Sequence, residues 1–452
     1  MQPTIKQVVV LGSGVMGSRI ACHFAGIGVQ VLLLDRLQPG TEESTNSKER
    51  NKLVNDALQA AIKSNPSPIY TSTATKNIRT GNFTDDMAKI ANADWIIEVV
   101  VERLDIKKSI YDQVEQYRKP GTLVSSNTSG IPIHLMAEGR SEDFQKHFCG
   151  THFFNPPRYL RLLEIIPTPK TDQSVIDFHM HYGDVFLGKT TVLCKDTPAF
   201  IANRVGVFSM MSVLHIMEKM GLTIDEVESL TGPILGRPKS ATFRTADVVG
   251  IDTLVKVANG VAENCPNDEA HELFQLPDFI SKMMENKWLG SKTGQGFYKK
   301  EGKEILSLDL NTLEYRAAKK ASFATLELTK TIDKPIDRFK ILVNGKDKAG
   351  EFYRKNFAAM FAYCSNRIPE ISDDFYTIDD AMKAGFGWEN GPFEIWDAIG
   401  IEKGIELMKT EGYAPAAWVN EMVAAGSTHF YTVNEGATYA YNIPSKTQVK
   451  VP

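Results

Sequence analysis

The chain is poor in features that would settle its class at once. It has only five cysteines, an odd number, scattered as Cys22, Cys149, Cys194, Cys265 and Cys364. No two stand at C-x-x-C spacing, so neither a disulfide scaffold nor a thiolate metal site is expected. A reducing cytoplasm, with the cysteines as small core residues, is the simplest setting. Long hydrophobic runs are missing as well. The apolar stretches at 8–11, 31–34 and 95–101 fall far short of the ~20 residues that span a bilayer, and they read as buried strands. Charge of one sign is absent: 51 basic against 55 acidic residues leave a net charge of −4. No basic face for nucleic acid is expected from that balance. Met1 is followed by Gln2-Pro3-Thr4 and then a strand, so no secretory leader is expected. What is present is ordinary for a globular protein: 452 residues, 42% hydrophobic and 23% charged. At ~150 residues per domain that suggests two to four domains.

The first pattern with chemical content lies at the N-terminus. Residues 6–11 (KQVVVL) form a β-rich run that leads into Gly12-Ser13-Gly14-Val15-Met16-Gly17. Ile20, Ala21, Phe24 and Ala25 follow at helical spacing, and Gly26-Ile27-Gly28 ends that helix. Residues 29–34 (VQVLLL) are a second strand, closed by Asp35. A glycine hexapeptide alone is equally a plain strand–helix turn. Strand, glycines, helix, strand and acid in that order predict a dinucleotide site. Glycines permit a tight turn and close approach of a pyrophosphate to the helix N-terminus, where N–H groups are unpaired and the dipole is positive. Asp35 lies 18 residues after Gly17, where a carboxylate accepts from the adenine-ribose diol and repels a 2′-phosphate. The predicted cofactor is therefore NAD, and Arg36 is read as a solvated strand-end charge.

The alternation continues. Residues 42–65 are polar and helix-compatible, an insertion stopped by Asn65-Pro66-Ser67-Pro68. Residues 94–101 (DWIIEVVV) predict a strand, 104–117 a helix, and 122–126 a strand ending in Asn127-Thr128-Ser129. Such βαβ alternation implies a parallel sheet with helices on both faces. Ligands sit beyond the strand C-termini of such sheets, which puts Glu102, Asn127 and Ser129 near the crevice.

The least ordinary segment is Gly150-Thr151-His152-Phe153-Phe154-Asn155-Pro156-Pro157. Asn-Pro-Pro continues neither strand nor helix, so His152 and Asn155 are expected at a fixed bend. Twelve residues beyond His152, Glu164 interrupts the apolar run LLEII, where a buried carboxylate needs a partner. Oxidation of an alcohol by NAD needs a base for the hydroxyl proton, and histidine suits that task near neutral pH. A carboxylate on its other nitrogen would orient the ring. Taken alone, His152 is as readily a satisfied core histidine and Glu164 a strand-face charge, and spacing does not pair them. Asp196 or Thr197 with Pro198 predicts a helix start, and apolar periodicity then runs from Val205 to Met217. The composition shifts there from α/β to all-α. Asn203 in the first turns reads as an exposed polar residue.

These segments resemble the L-3-hydroxyacyl-CoA dehydrogenase family of fatty-acid β-oxidation. The likeness runs over residues 5–300 through VLGSGVMGSRIA, VVVERLDIKKSIYDQVE, SSNTS, THFFNPP with LLEII, DTPAFIANRV and KTGQGFY. It implies His152 as general base and Glu164 as its partner. It implies Ser129 and Asn203 as hydrogen-bonding groups at the substrate oxygen and histidine, and Asn155 and Glu102 near the nicotinamide with Lys107 close by. Gly12, Gly14, Gly17 and Asp35 would hold the ADP half of NAD, and the 42–65 insertion would help receive coenzyme A, with Lys63 more readily solvated than bound to phosphate. No metal is implied.

The resemblance also fits a long subtype whose helical domain occurs twice. Thr223-Ile224-Asp225-Glu226 recurs as Thr377-Ile378-Asp379-Asp380, and Asp247-Val248-Val249-Gly250-Ile251 as Asp397-Ala398-Ile399-Gly400-Ile401, at offsets of 154 and 150. Asn203 corresponds to Tyr353 at the second offset, so no second active site is expected. The fold class expected is an α/β Rossmann-like N-terminal domain followed by duplicated all-α C-terminal domains. The boundaries are 1–195 for NAD binding, 196–300 for the first helical domain, 301–350 for a linker, 351–428 for a degenerate second copy and 429–452 for a polar tail. The implied activity is NAD-dependent oxidation of (S)-3-hydroxyacyl-CoA to 3-oxoacyl-CoA by a cytoplasmic enzyme. It would be monomeric through packing of its two helical copies, or a weak homo-oligomer; an enoyl-CoA hydratase domain follows in some members, and nothing here resembles one, so the chain either lacks it or is a fragment of a longer protein. Two other readings stand beside it. A dehydrogenase of sugar acids such as gulonate shares His-x-x-Asn-Pro-Pro but differs between those residues. A catalytically silent nucleotide-binding protein would be expected to lack His152 or Glu164.

Overall fold

The computed structural model describes residues 4–451, which divide into two compact units between Phe200 and Ile201. The first unit grows from strand β1 (Gln7–Leu11), whose valines and leucine are all buried. An apolar run of this length suits a strand covered on both faces. Helix α1 (Val15–Gly26) and strand β2 (Gln30–Asp35) follow. The polar insertion then forms α2 (Ser47–Arg50) and α3 (Lys52–Ile62). Next come β3 (Ile78–Asn82), α4 (Phe83–Asp86), β4 (Trp95–Glu98), α5 (Leu104–Tyr117) and β5 (Leu123–Ser126). The unit closes with α6 (Ile133–Ala137), α7 (Glu142–Lys146), β6 (Phe148–Phe153), β7 (Leu162–Pro167), α8 (Gln173–Val185) and β8 (Thr190–Leu193).

The eight strands make one sheet in the order β3-β2-β1-β4-β5-β6-β7-β8. All neighbours are parallel except β6 and β7. Strand order reverses at β1, and the crevice beyond the ends of β1 and β4 is where such sheets take ligands. Phe24, Trp95, Phe153 and Tyr182 belong to the core of this unit. Phe24 meets Trp95 edge-on at 5.3 Å. Phe153 is thus locked into packed core, and that fixes the strand carrying its neighbour His152.

Helix α9 (Ala202–Met220) opens the second unit. After it come α10 (Ile224–Thr231), α11 (Phe243–Val249), α12 (Ile251–Asn264) and α13 (Asp278–Glu285). Strands β9 (Tyr298–Glu301), β10 (Glu304–Leu308) and β11 (Tyr315–Ala317) form an antiparallel sheet. The chain continues through α14 (Ala324–Glu327), α15 (Phe339–Asn344), α16 (Lys348–Asn366), α17 (Phe375–Phe386), α18 (Pro392–Ile399), α19 (Ile401–Thr410) and α20 (Ala417–Ala424). A second small sheet, β12 (Tyr431–Asn434), β13 (Ala437–Asn442) and β14 (Thr447–Lys450), ends it.

The second unit is therefore not all-α. The span 301–350 is not simply a linker, since it holds β10, β11, α14, α15 and the start of α16. The polar tail is a β-meander. Both sheets escape a reading by apolar periodicity because their strands are largely exposed. Local turn chemistry marks the second one: Glu435 and Gly436 both adopt positive φ, as a two-residue turn of the type that matches strand twist requires.

The expected helix start at Asp196–Pro198 also moves. Ala199 and Phe200 take φ of 63° and 52°, and α9 begins only at Ala202. The Asp196 carboxylate instead accepts from Ile133 N (2.8 Å) and His134 N (2.9 Å) and meets the His134 ring at 2.6 Å. Its capping capacity serves α6.

Two segments of the second unit carry the same hydrogen-bonded arrangement. Asp247 of α11 accepts from Phe297 N and Tyr298 N at 2.9 Å each, and the Tyr298 hydroxyl donates to Glu228 at 3.0 Å. Glu228 in turn takes Thr242 N and Arg244 N at 2.8 Å. Asp397 of α18 accepts from Phe430 N (2.8 Å) and Tyr431 N (2.9 Å), and the Tyr431 hydroxyl donates to Asp379 at 2.8 Å. Asp379 takes Phe393 N (2.9 Å) and Glu394 N (3.0 Å). The geometry matches Asp379 to Glu228 rather than to Asp225. The recurring Thr-Ile-Asp string is displaced by about one helical turn from the structural correspondence.

Candidate dinucleotide and catalytic site

The glycine turn is built by close packing. Gly12 sits at φ 109°, and a Cβ there would lie 2.6 Å from the Val99 carbonyl oxygen. A Cβ on Gly17 would fall 1.8 Å from the Gly12 oxygen. These two glycines are required by the protein itself. Gly14 differs: a Cβ there would meet nothing within 4 Å, and Gly14 caps α1 with no side-chain hydrogen bond. The helix N-terminus is thus left open on the side where a pyrophosphate would dock. Asp35, at the end of β2, accepts from Ser13 N (2.6 Å), Ser13 Oγ (2.5 Å) and Arg36 N (2.6 Å). Its carboxylate is held at the rim of the glycine turn, where a ribose diol would reach it. The residues present fit an NAD-type dinucleotide.

Beyond β4 lies a second cluster. Glu98 is fully buried in the run DWIIEVVV and accepts from Lys107 Nζ (2.7 Å), Ser126 Oγ (2.6 Å), Tyr111 Oη (3.1 Å) and Val100 N (2.7 Å). Lys107 is only 1% exposed and also stands 3.4 Å from Glu102. Its ammonium bridges two carboxylates, Glu98 and Glu102. Glu102 accepts from Thr128 Oγ1 (2.5 Å), Ser129 N and Gly130 N (3.0 Å each). Burial pushes the Glu102 carboxyl up, but the Lys107 charge and these three donors outweigh it and hold the group below its ordinary value. Ser129 itself is exposed. Asn127 accepts from Phe153 N at 2.8 Å, tying the loop after β5 to the end of β6.

His152 is not at the bend. It lies within β6, directly opposite Glu164 on β7. Its Nδ1 is 2.6 Å from Glu164 Oε2, with Glu164 fully buried and His152 6% exposed. A carboxylate only accepts, so the proton of this bond sits on Nδ1, and Nε2 takes no part in it. Phe154 and Phe200 pack near the ring, at 4.6 and 5.6 Å between centroids. The bend that follows carries Asn155, whose Oδ1 accepts from Arg19 of α1 at 2.5 Å. Asn203 belongs to the second unit, in the first turn of α9.

The structure thus brings together His152 with Glu164, Glu102 with Lys107 and Ser129, and Asp35 with the glycine turn. Glu98, Arg19 and Phe200 were not singled out in the sequence. For Glu98 the signal was available: a charge inside an apolar run, the same anomaly that marked Glu164.

Sheet order, glycine turn and terminal acid define a dinucleotide-binding fold with a strand-borne His–Glu pair. Comparison with known families then narrows the class. The 3-hydroxyacyl-CoA dehydrogenase NAD binding domain matches residues 7–197, and the C-terminal domain of the same family matches 200–300 and 357–439. The chain belongs to the 3-hydroxyacyl-CoA dehydrogenase family, and residues 7–197 are its NAD-binding domain. A probable 3-hydroxyacyl-CoA dehydrogenase of Bacillus subtilis (strain 168) is 46% identical over 450 residues, covering 98% of this chain and 57% of that protein. The chain therefore spans little more than half the length of that relative. A probable 3-hydroxyacyl-CoA dehydrogenase of Deinococcus radiodurans is 45% identical over 296 residues, covering 66% of this chain and 83% of the relative. In fold, the chain is similar to the crystal structure of 3-hydroxybutyryl-CoA dehydrogenase from Escherichia coli K12, with a TM-score of 0.68 at 20% identity over 94% of this chain and 99% of that one. Among the described residues no helix is long and apolar enough to cross a membrane.

Proposed function

We propose that the chain catalyses NAD-dependent oxidation of (S)-3-hydroxyacyl-CoA to the 3-oxoacyl-CoA, as a step of fatty-acid β-oxidation. The observation that carries the reading is the His152–Glu164 pair, set in register by antiparallel strands at the end of an NAD-binding sheet. In this reading the His152 Nε2 takes the proton from the substrate hydroxyl. Glu164 holds the ring in the needed tautomer and stabilises the imidazolium that forms. NAD, when bound, supplies the hydride acceptor. Gly12, Gly14, Gly17 and Asp35 hold its ADP half, while Glu102 and Asn155, kept in place by Lys107 and Arg19, line the nicotinamide side. Ser129 and Asn203 hydrogen-bond the substrate oxygen. The insertion of α2 and α3 helps receive coenzyme A.

We further infer that the chain beyond the NAD-binding domain is a duplication: a first helical copy from 196 to 300, and a degenerate second copy from 351 to 428 that the strands of 429–452 complete. The repeated carboxylate arrangement at Glu228/Asp247 and Asp379/Asp397 supports this reading, as do the two separate matches to one family domain. Tyr353 stands where Asn203 would recur and donates to the Leu230 carbonyl at 2.9 Å, which supports a packing role for the second copy. The chain would then be monomeric through this face. Turnover of acetoacetyl-CoA with NADH, set against gulonate with NAD, tests the activity. Oxidation of gulonate alone, or no turnover of either, would defeat it.

A further inference from the structure

The connection between β6 and β7, residues 154–161, carries Asn155 and joins the strands of His152 and Glu164. Its centre is a tight turn in which Tyr159 N and Leu160 N both donate to the Pro156 carbonyl, at 2.9 and 3.0 Å. Lys189, just before β8, reaches across to this turn. Its Nζ makes a short contact with the Pro157 carbonyl oxygen and donates to the Leu160 carbonyl oxygen at 2.9 Å. One ammonium thus grips the turn at both sides.

The grip is made at a cost. Lys189 is 2% exposed, and among the described residues no carboxylate pairs with it. Apart from the two carbonyls, the group that favours its charge is the Phe153 ring, 5.7 Å from Nζ. A like charge, Arg161, opposes it. Arg161 lies on the same connection, and Arg158 is bound to the Ser67 and Ile69 carbonyls at 2.8 and 3.0 Å. His23 of α1 is held at the Leu187 carbonyl. A buried ammonium without a counter-charge destabilises a fold unless its hydrogen bonds compensate.

We propose that Lys189 is a positioning residue of the dehydrogenase site: by holding the Pro157 and Leu160 carbonyls it sets the turn that presents Asn155 and fixes the end of the strand bearing His152. The inference rests on the function proposed above. Burial, helped by Arg161, brings the Lys189 ammonium down to about 8 from its ordinary 10.5. Between those values the unfolded chain binds more protons than the folded one, so this group makes the fold more stable as pH rises. The clamp, by contrast, loses its charge over the same window. Loss of grip and loss of stability therefore run in opposite directions, which separates positioning from a merely structural role.

The test compares wild type, Lys189→Arg and Lys189→Met in the oxidation direction, from neutral pH upward. Wild type should show kcat falling above pH 8 with no fall in thermal stability. Lys189→Arg, which does not titrate in range, should keep neutral-pH turnover within ~3-fold and lose the alkaline decline. Lys189→Met should lose ~10-fold or more in kcat at pH 7, with NADH affinity retained. Hydrogen exchange of the Tyr159 and Leu160 amides should be faster in Lys189→Met than in wild type. An alkaline decline that persists in Lys189→Arg overturns the proposal, as does full turnover in Lys189→Met. If Lys189→Met does not fold, the arginine variant decides. If wild type turns over no 3-hydroxyacyl-CoA, the activity reading fails, while unchanged amide protection in Lys189→Met would separately defeat the clamp.

Discussion

An imidazole with one nitrogen tied to a buried carboxylate has a single nitrogen left for chemistry. Removing that ring should act on proton transfer and little else. His152→Ala is expected to lower turnover by ~100-fold or more while NADH affinity stays near wild type, measured by steady-state kinetics and fluorescence titration. Glu164→Gln keeps the shape but offers an amide that no longer stabilises the imidazolium, and should reproduce much of that loss. A normal rate in Glu164→Gln would make the glutamate structural. On the cofactor side, Asp35→Ala removes both the ribose acceptor and the charge that repels a 2′-phosphate. NAD should bind more weakly and NADP comparatively better. Wild type using both equally well would contradict the role of Asp35. Asp35 was legible in the sequence because the motif places it by counting. The His152–Glu164 contact was not, because a spacing of twelve residues fits many registers. What sets it is the β6–β7 pairing across a connection closed by Asn155-Pro156-Pro157.

Elements buried on both faces were the readable ones. Strands β1, β2, β4 and β5 and helix α5 emerge from apolar runs and periodicity, since both reflect burial directly. Half-exposed elements were not: β3, β9–β11 and β12–β14 have mixed faces, and even the hairpin-paired ones also lean on contacts distant in sequence. Carboxylates that tie such strands to helices are one example. Asp397 anchors β12 by taking Phe430 N and Tyr431 N, and burial raises its carboxyl to about 6. The folded state therefore holds the proton more tightly than the unfolded chain, whose value is near ~3.9. Stability from this group is fully present below ~4 and is lost as pH rises through about 6. The stability advantage of wild type over Asp397→Asn should shrink between pH 4 and pH 7 in denaturant titrations. An advantage that grows over that range would mean that the backbone donors, not burial, govern the site.

At the scale of the whole chain, the face of α9 explains why a second helical copy would be useful. Phe208 stacks on Tyr363 at 3.7 Å, and Gly206 admits Phe386 so closely that a Cβ there would fall 2.0 Å from its ring. Between them runs an ionic seam. The fully buried Arg204 donates to the Tyr363 hydroxyl (2.6 Å), Asp268 (2.6 Å) and Glu370 (3.0 Å), and Arg367 meets Asp268 at 3.0 Å. Tyr363, Glu370, Arg367 and Phe386 all lie beyond residue 350. Deleting residues from 351 onward would bare an apolar stripe on α9 and strip Arg204 of two partners while leaving its charge in place. Aromatic side chains bury ~150–250 Å² each, so the bared surface should exceed the patch a monomer normally exposes. A helix face bared in this way is covered most simply by pairing with a second copy of itself about a two-fold axis. The truncated chain should therefore dimerise or aggregate more than the intact chain, which the duplication proposed above would keep monomeric, read by light scattering across a concentration series. A well-behaved, fully active truncated monomer would show that the later copy does not shield this face, and an intact chain that already dimerises through α9 would defeat the idea from the other side.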